Sequence, residues 1–112
     1  MKLAVVGNRV GYTKQEVYKE IDNYALIGTD FIITGGASGV DTFAMEYAKE
    51  HGIGLIVLYP DIDIPNPDRY FERNYRIVLQ CDGVLAFNKK DRSGTKHTIN
   101  IALRLNKKVR IC

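Results

Sequence analysis

Residues 31–41 read Phe-Ile-Ile-Thr-Gly-Gly-Ala-Ser-Gly-Val-Asp, and this stretch decides the fold class. The run at 31–34 predicts a buried strand, because a strand covered on both faces is almost continuously apolar. Two glycines end the strand, and an amphipathic pattern from about Val40 to His51 predicts a helix that stops at Gly52. A strand that passes through a glycine-rich turn into a helix is typical of a β-α-β unit.

The same rhythm of apolar run and amphipathic stretch covers the rest of the chain. Further strands are predicted at residues 3–6, 53–58, 84–87 and 109–111. Further helices are predicted from the capping box Thr13–Glu16 to near Gly28, over about residues 67–80 with Asn66 as N-cap, and over about residues 95–105. Five strands alternating with four helices predict an α/β fold, a three-layer Rossmann-like sandwich with a parallel five-stranded sheet.

Length and composition agree with one folded domain over residues 1–112. The chain is 46% hydrophobic and 26% charged, close to the average for soluble globular proteins. No apolar run approaches the ~20 residues of a membrane span, and the first residues predict a strand rather than a signal peptide. Two cysteines and two histidines lie far apart in sequence. We therefore expect a cytoplasmic protein with no metal, no resident cofactor and no membrane partner.

Charge is distributed unevenly along the chain. Residues 1–65 carry 5 Lys and Arg against 9 Asp and Glu, whereas residues 66–112 carry 11 against 4. A positive field on one side suits an anionic partner such as a nucleotide, a phosphate ester or a nucleic acid. The alternative is that these cations are a solvated surface that only keeps the protein in solution.

Three loops are the candidate binding elements. Ligands of parallel α/β sheets bind beyond the carboxyl ends of the strands, so the segments that follow the first, second and fourth strands share one edge. Each combines small residues with backbone N–H groups near a helix N-terminus, which is the geometry that holds phosphate or carboxylate oxygens. The alternative is that the glycines only build tight turns. The segments are Gly7-Asn8-Arg9, Gly35-Gly36-Ala37-Ser38-Gly39-Val40-Asp41 and Ser93-Gly94-Thr95.

Three polar residues outside the glycines are further candidates. Asp41 either interacts favourably with the positive end of its helix dipole or accepts hydrogen bonds from ribose hydroxyls. Arg73 either pairs with Glu72 or Asp68 on the surface or binds a phosphate. Asn74 is unfavourable in the middle of a helix, which indicates either a side-chain network or a ligand contact.

Nucleotide-binding motifs of two large classes are absent from the sequence. No G-x-x-x-x-G-K-[ST] occurs, so hydrolysis of ATP by a P-loop has no support. The dinucleotide fingerprint G-x-G-x-x-G is also absent after the first strand.

The order of these motifs resembles the SLOG superfamily over nearly the whole chain. The resemblance rests on Gly7-Asn8-Arg9, on the segment 35–41, on Arg73-Asn74 and on Ser93-Gly94-Thr95. It is closest to the small YspA-type group, with DprA-like and LOG-like motifs. The resemblance implies a pocket at the glycine loops that binds a nucleotide-derived small molecule, in a protein acting as a sensor or carrier. Separately, the sheet edges of a chain this short lead us to expect a homodimer.

Two alternatives follow from the same resemblance. LOG-type enzymes cleave the N-glycosidic bond of nucleotides with a P-G-G-x-G-T-x-x-E motif, but Thr98 stands where that glutamate would be. Asp41 is then the only well-placed carboxylate for such a hydrolase. A DprA-like protein would instead bind single-stranded DNA through the basic second half, with candidates Arg69, Arg73, Arg76, Lys89, Lys90, Arg92 and Lys96.

Overall fold

The computed structural model describes residues 1–25 and 28–112, which form alternating strands and helices as the sequence predicts. In chain order they are β1 (Lys2–Gly7), α1 (Lys14–Ala25), β2 (Phe31–Thr34), α2 (Val40–Glu50), β3 (Gly54–Val57), α3 (Asp68–Gln80), β4 (Gly83–Phe87), α4 (Ser93–Arg104) and β5 (Lys108–Ile111). Among these described residues, no helix has the length and apolar character needed to cross a membrane.

The five strands form one parallel sheet in the order β3-β2-β1-β4-β5. The central strand β1 pairs with β2 through Leu3 and Ile32, and with β4 through Ala4 and Val84. Parallel neighbours need crossover connections, and the intervening helices supply them. The predicted α/β, Rossmann-like architecture is confirmed.

Helices cover both faces of the sheet. Successive side chains of β1 point to opposite faces, so β1 contributes to the core on each face. Leu3 and Val5 pack with the α1 and α2 residues Val17, Ile21, Val40, Ala44 and Tyr47. Ala4 and Val6 pack on the opposite face with the α3 and α4 residues Ile77, Val78, Ile99, Ile101 and Ala102. Burial of both faces explains why β1 is continuously apolar from Leu3 to Val6.

The capping box predicted for α1 is present. Thr13 Oγ1 accepts the backbone N–H of Glu16 at 3.1 Å, and Glu16 Oε1 accepts the backbone N–H of Thr13 at 3.1 Å. Two N–H groups that a helix start leaves without partners are thereby satisfied. The predicted end of this helix near Gly28 involves residues 26 and 27, which lie outside the described residues.

The starts of α3 and α4 differ from the prediction. The N-cap of α3 is Pro67 and not Asn66. The first N–H groups of this helix are satisfied by the backbone of the turn itself, since Arg69 N donates to Pro65 O and Tyr70 N donates to Pro67 O. The bond between Asn66 and Pro67 is cis.

Helix α4 begins two residues earlier than predicted. Asn88 Oδ1 accepts the backbone N–H of Arg92 at 2.9 Å, and Lys96 N donates to Arg92 O at 3.0 Å. Ser93, Gly94 and Thr95 therefore form the first turn of the helix and not a loop before it.

Removal of the cap of α1 provides a test of this local structure. We expect Thr13→Ala to lower the free energy of unfolding by about 0.5–2 kcal/mol, because the N–H of Glu16 loses its acceptor. The measurement is urea denaturation followed by circular dichroism, with Gln15→Ala in the same exposed turn as control. Equal effects of the two substitutions would show that the capping box contributes no stability.

Candidate functional site

A cavity of about 490 Å³ opens at the carboxyl edge of the sheet. It lies where the loops after β1 and β2 meet α3 and the first turn of α4, which is the place where the strand order reverses. Its volume is in the range of cavities that hold small molecules. The lining residues are Val6, Gly7, Asn8, Arg9, Val10, Gly35, Ala37, Asp41, Tyr70, Phe71, Arg73, Asn74, Ile77, Arg92, Gly94, Thr95 and Thr98.

The structure brings most of the predicted site residues to this one cavity. Those that line it are Gly7, Asn8, Arg9, Gly35, Ala37, Asp41, Arg73, Asn74, Gly94 and Thr95. Four predicted residues are not among the described lining residues, namely Gly36, Ser38, Gly39 and Ser93. The glycine loop after β2 thus contributes only some of its members to the cavity wall.

Gly36 and Gly39 build the turn instead. Both have positive φ, +74° and +75°, a conformation that residues with a Cβ rarely adopt. A Cβ at Gly36 would lie 2.6 Å from the ring of Tyr59, and one at Gly39 would collide with the backbone carbonyl of Arg9. Gly39 therefore lets the loops after β1 and β2 pack against each other.

The Asn8 side chain joins the loop after β1 to the start of α4. Its Nδ2 donates to Asn88 Oδ1 at 2.9 Å and to Thr95 Oγ1 at 3.3 Å, and its Oδ1 accepts the backbone N–H of Lys90 at 3.0 Å. Asn8 is buried, and these contacts use its amide on both sides. Its side chain therefore positions α4 against the cavity.

Arg73 and Asn74 hold α3 against the loops. Arg73 Nη1 donates to Gly35 O at 2.8 Å, and Arg73 Nε donates to Asn74 Oδ1 at 3.1 Å. Asn74 Nδ2 donates to Gly94 O at 3.4 Å and also lies 3.3 Å from a ring nitrogen of His97. A side-chain network therefore accounts for an asparagine in the middle of α3.

The surface ion pair considered for Arg73 does not form. Glu72 binds Arg76 instead, with 2.7 Å between Glu72 Oε2 and Arg76 Nε. Arg73 is half-buried beside the cavity, and this burial lowers its pKa from the ordinary value. A guanidinium stays protonated under physiological conditions regardless, so Arg73 brings a positive charge to the wall.

Asp41 is a buried carboxylate at the start of α2. It is 5% exposed, and its Oδ2 accepts the backbone N–H of Ala37 at 3.1 Å. Its other oxygen, Oδ1, is buried and has no hydrogen-bond partner among the described residues. Burial raises the pKa of Asp41 to about 6, and the positive charge of Arg73 opposes that increase.

Further positive charge at the cavity comes from the loop after β1 and from the start of α4. Arg9 and Arg92 are exposed and line it together with Gly94 and Thr95 from the first turn of α4. That turn contains no acidic residue, and the N-cap, Arg92, provides no side-chain hydrogen bond to it. The partial positive charge of the helix start therefore adds to the charge of the arginines.

Several lining residues were not predicted to contact the small-molecule ligand. They are Val6, Val10, Tyr70, Phe71, Ile77, Arg92 and Thr98, of which Arg92 was predicted only for the DNA-binding alternative and Thr98 was noted only at the place of the LOG-type glutamate. Tyr70, Arg73, Asn74 and Ile77 have the i, i+3, i+4, i+7 spacing of one helix face, and this spacing in the sequence was a signal that could have found Tyr70 and Ile77. Phe71 is 41% exposed, and its ring packs on that of His97 with centroids 4.4 Å apart.

Metal ligands are not clustered here. In the part of the chain that the structure describes, no three His, Cys, Asp or Glu side chains are grouped so that they could hold a metal ion.

Comparison with protein families gives one match. The model of the family described as YAcAr, the YspA, cpYpsA-related SLOG family, matches residues 1–63 of the chain. No curated protein matches the chain.

Three solved structures share the fold. DNA processing protein A (DprA) from Helicobacter pylori, whose structure is described for its single-stranded DNA binding mode, superposes with a TM-score of 0.78 at 21% identity over 99% of this chain. DprA from Streptococcus pneumoniae superposes with a TM-score of 0.79 at 24% identity over 98% of this chain. The protein TM1055 superposes with a TM-score of 0.74 at 21% identity over 96% of this chain. The chain spans 64%, 49% and 71% of these three proteins, respectively.

The buried carboxylate gives a prediction about stability. Asp41 has a pKa of about 6 in the folded chain against an ordinary 3.8, so its stabilising proton is fully held below pH 3.8 and lost as the pH rises through 6. Asp41→Asn keeps an oxygen for Ala37 and removes the buried charge. We expect this variant to be more stable than the wild type at pH 7 by roughly 1–3 kcal/mol.

The measurement is urea denaturation of both proteins at several values between pH 4 and pH 7. The stability difference should grow from about pH 4 to about pH 6 and level off above it. Asp63→Asn, which makes the same substitution in an exposed loop, is the control. A difference that does not change with pH would contradict the raised pKa.

Proposed function

The chain belongs to the YspA, cpYpsA-related SLOG family, and we propose that it binds a nucleotide-derived small molecule in the cavity at the carboxyl edge of its sheet. The proposed role is that of a sensor or carrier. The observation that supports it best is the combination of charged groups on the cavity wall. Arg9, Arg73, Arg92 and a helix start provide positive charge there, and Asp41 provides a buried carboxylate.

We propose that the phosphate of the ligand binds at the start of α4. Gly94 and Thr95 offer backbone N–H groups there, and Arg9 and Arg92 add positive charge. Helix starts combined with arginines are common phosphate sites in proteins. This placement differs from a phosphate held on the whole loop from Gly35 to Gly39, since the positive-φ glycines of that loop pack against protein.

The apolar part of the cavity suits a base. Phe71 and Tyr70 are partly exposed aromatic residues at its edge, and Val6, Val10 and Ile77 supply aliphatic surface. Aromatic rings stack on any nucleobase, because every base has a π-face. The residues therefore favour a ligand that joins an anion to a flat ring.

Hydrolysis of a glycosidic bond is an alternative function for the same cavity. Thr98 lines it at the place of the LOG-type glutamate, and its hydroxyl donates to Gly94 O at 3.4 Å. A neutral hydroxyl cannot stabilise positive charge at a reacting sugar as a carboxylate does. Release of free base from a nucleotide would show that the protein is a hydrolase and not a binding protein, provided that Asp41→Asn abolishes that release.

Binding of single-stranded DNA is the second candidate function. The structures of DprA share the fold, and α3 presents the exposed aromatic residues Tyr70, Phe71 and Tyr75 beside arginines. Such a surface provides stacking and positive charge for a single strand. Since the identities are 21% and 24%, this candidate depends on those exposed residues as well as on the shared fold.

The oligomeric state and the domain organisation stay predictions. We expect residues 1–112 to fold as one domain and to form a homodimer. Analytical ultracentrifugation at two protein concentrations measures the dimer directly, and a single sedimenting monomer would contradict it.

Arginine substitutions test the proposed phosphate site. We expect Arg92→Ala and Arg9→Ala each to weaken binding of nucleoside 5′-monophosphates by roughly 10- to 100-fold, the worth of a charge-assisted hydrogen bond. Isothermal titration calorimetry measures the affinities. Arg104→Ala, in the exposed last turn of the same helix, is the matched control. Equal losses in all three variants would contradict a local phosphate site.

Salt dependence separates the two candidate functions. If the chain binds an oligothymidylate, we expect the affinity to fall steeply between about 50 and 200 mM salt, because phosphate contacts release counterions. Fluorescence anisotropy with a labelled oligonucleotide measures it. Salt-sensitive DNA binding without any binding of nucleoside monophosphates would favour the DprA-like function over the proposed one.

A further inference from the structure

We propose that His97 is a positioning residue of the binding site, which accepts a hydrogen bond from the Asn74 amide through Nδ1 and thereby holds α3 against the start of α4. His97 is not among the described residues that line the cavity, whereas Asn74 and Gly94 are. The role of His97 is therefore exercised through Asn74. This inference rests on the proposed function and adds a residue outside the cavity wall to that site.

The orientation of the Asn74 amide is determined by Arg73. Arg73 Nε can only donate a hydrogen bond, and it lies 3.1 Å from the side-chain oxygen of Asn74. The amide nitrogen Nδ2 is thereby directed to Gly94 O at 3.4 Å and to His97 Nδ1 at 3.3 Å. A reversed amide would face Arg73 Nε with a donor and Gly94 O with an acceptor, so this network permits one orientation.

That orientation determines which nitrogen of His97 carries the proton. The nitrogen of an amide side chain only donates, so Nδ1 of His97 is the acceptor and has no proton. The single proton of the neutral imidazole is then on Nε2. A doubly protonated ring would place two donors 3.3 Å apart and remove the acceptor from Asn74.

The surroundings of the ring favour its neutral form. The Phe71 ring of α3 packs on it, partial burial lowers the pKa of His97, and the positive charge of Arg104 on α4 acts in the same direction. Phe71 and Asn74, the two residues of α3 in contact with the ring, do not titrate. In the described part of the chain no carboxylate forms an ion pair with His97.

The hydrogen bonds of Asn74 connect the proposed phosphate site to α3. Gly94 is in the first turn of α4 and His97 follows it by three residues, so Asn74 Nδ2 contacts that turn at two points. On the side of β1, Asn8 holds the same turn through Thr95 Oγ1 at 3.3 Å. Binding groups need such supporting hydrogen bonds to keep their geometry, and His97 supplies the acceptor on the α3 side.

Two substitutions separate the acceptor from the ring. His97→Asn places an amide oxygen near the position of Nδ1, at nearly the same helix propensity. His97→Phe keeps an aromatic ring against Phe71 and removes the acceptor. Asn100→Phe, at an exposed position of the same helix, is the control for an added aromatic ring.

Isothermal titration calorimetry at pH 7 measures binding of the 5′-monophosphates of adenosine, guanosine, cytidine and uridine. For the monophosphate that binds the wild type, we expect His97→Phe to weaken binding roughly 3- to 10-fold, the worth of one ordinary hydrogen bond. His97→Asn and Asn100→Phe should stay within about twofold of the wild type, since both keep an acceptor for Asn74. Urea denaturation confirms that the variants are folded.

The tautomer is measured on the wild type without any ligand. Two-bond correlations between ring protons and nitrogens in an NMR spectrum at pH 7 should show a proton on Nε2 of His97 and none on Nδ1. A proton on Nδ1 would overturn the inference, because that nitrogen could not accept from Asn74. This measurement decides the matter even if a variant fails to fold.

Failure of the inference is distinct from failure of the proposed function. Wild-type affinity in His97→Phe would overturn the role of the acceptor while the nucleotide site stands. Equal losses in His97→Phe and His97→Asn would show that the imidazole ring, and not the acceptor, is required, and would also overturn it. Absence of binding by every monophosphate to the wild type would overturn the proposed function, and the role of His97 in binding with it.

Discussion

The cavity depends on the position of β1 between β2 and β4. Parallel strands end at the same edge, so the segments after these three neighbouring strands are forced into contact. Asn8 then determines how closely they meet, because its amide bonds to Asn88, Thr95 and Lys90 while its backbone carbonyl accepts Val40 N–H. Loss of these buried hydrogen bonds would leave polar groups unpaired on two helices at once.

Most of the fold was accessible from the sequence because its signals are local. Apolar runs of four to six residues mark strands covered on both faces, and the capping box marks the first helix. The start of α4 was predicted two residues late, because the hydrogen bond that moves it comes from Asn88, four residues before Arg92 and outside the helix. Pro67 was predicted to be the first residue of α3, but it is the N-cap. The turn that precedes the helix is held by backbone hydrogen bonds, which residue composition does not reveal.

The candidate site was predicted in part. The residues of the three loops were identified because glycines and small polar residues that follow a strand and precede a helix often bind anionic ligands. Phe71 was not predicted to contact the small-molecule ligand, because periodicity places an aromatic residue on a helix face without showing whether that face packs on the sheet or borders a cavity. Gly36 and Gly39 were assigned to the ligand, although their positive φ serves the turn itself, and backbone conformation is not readable from residue type alone.

The hydrogen bonds of Arg73 and Asn74 have a consequence for conformational entropy. Both side chains are held by protein partners, Gly35 and Gly94 among them, so the cavity wall is preorganised. A ligand then orders few further rotamers on arrival, and more of its contact energy becomes affinity. Because a rigid wall transmits little shape change, a ligand in this cavity would be detected by other molecules chiefly at the rim, where Arg9 and Arg92 are exposed.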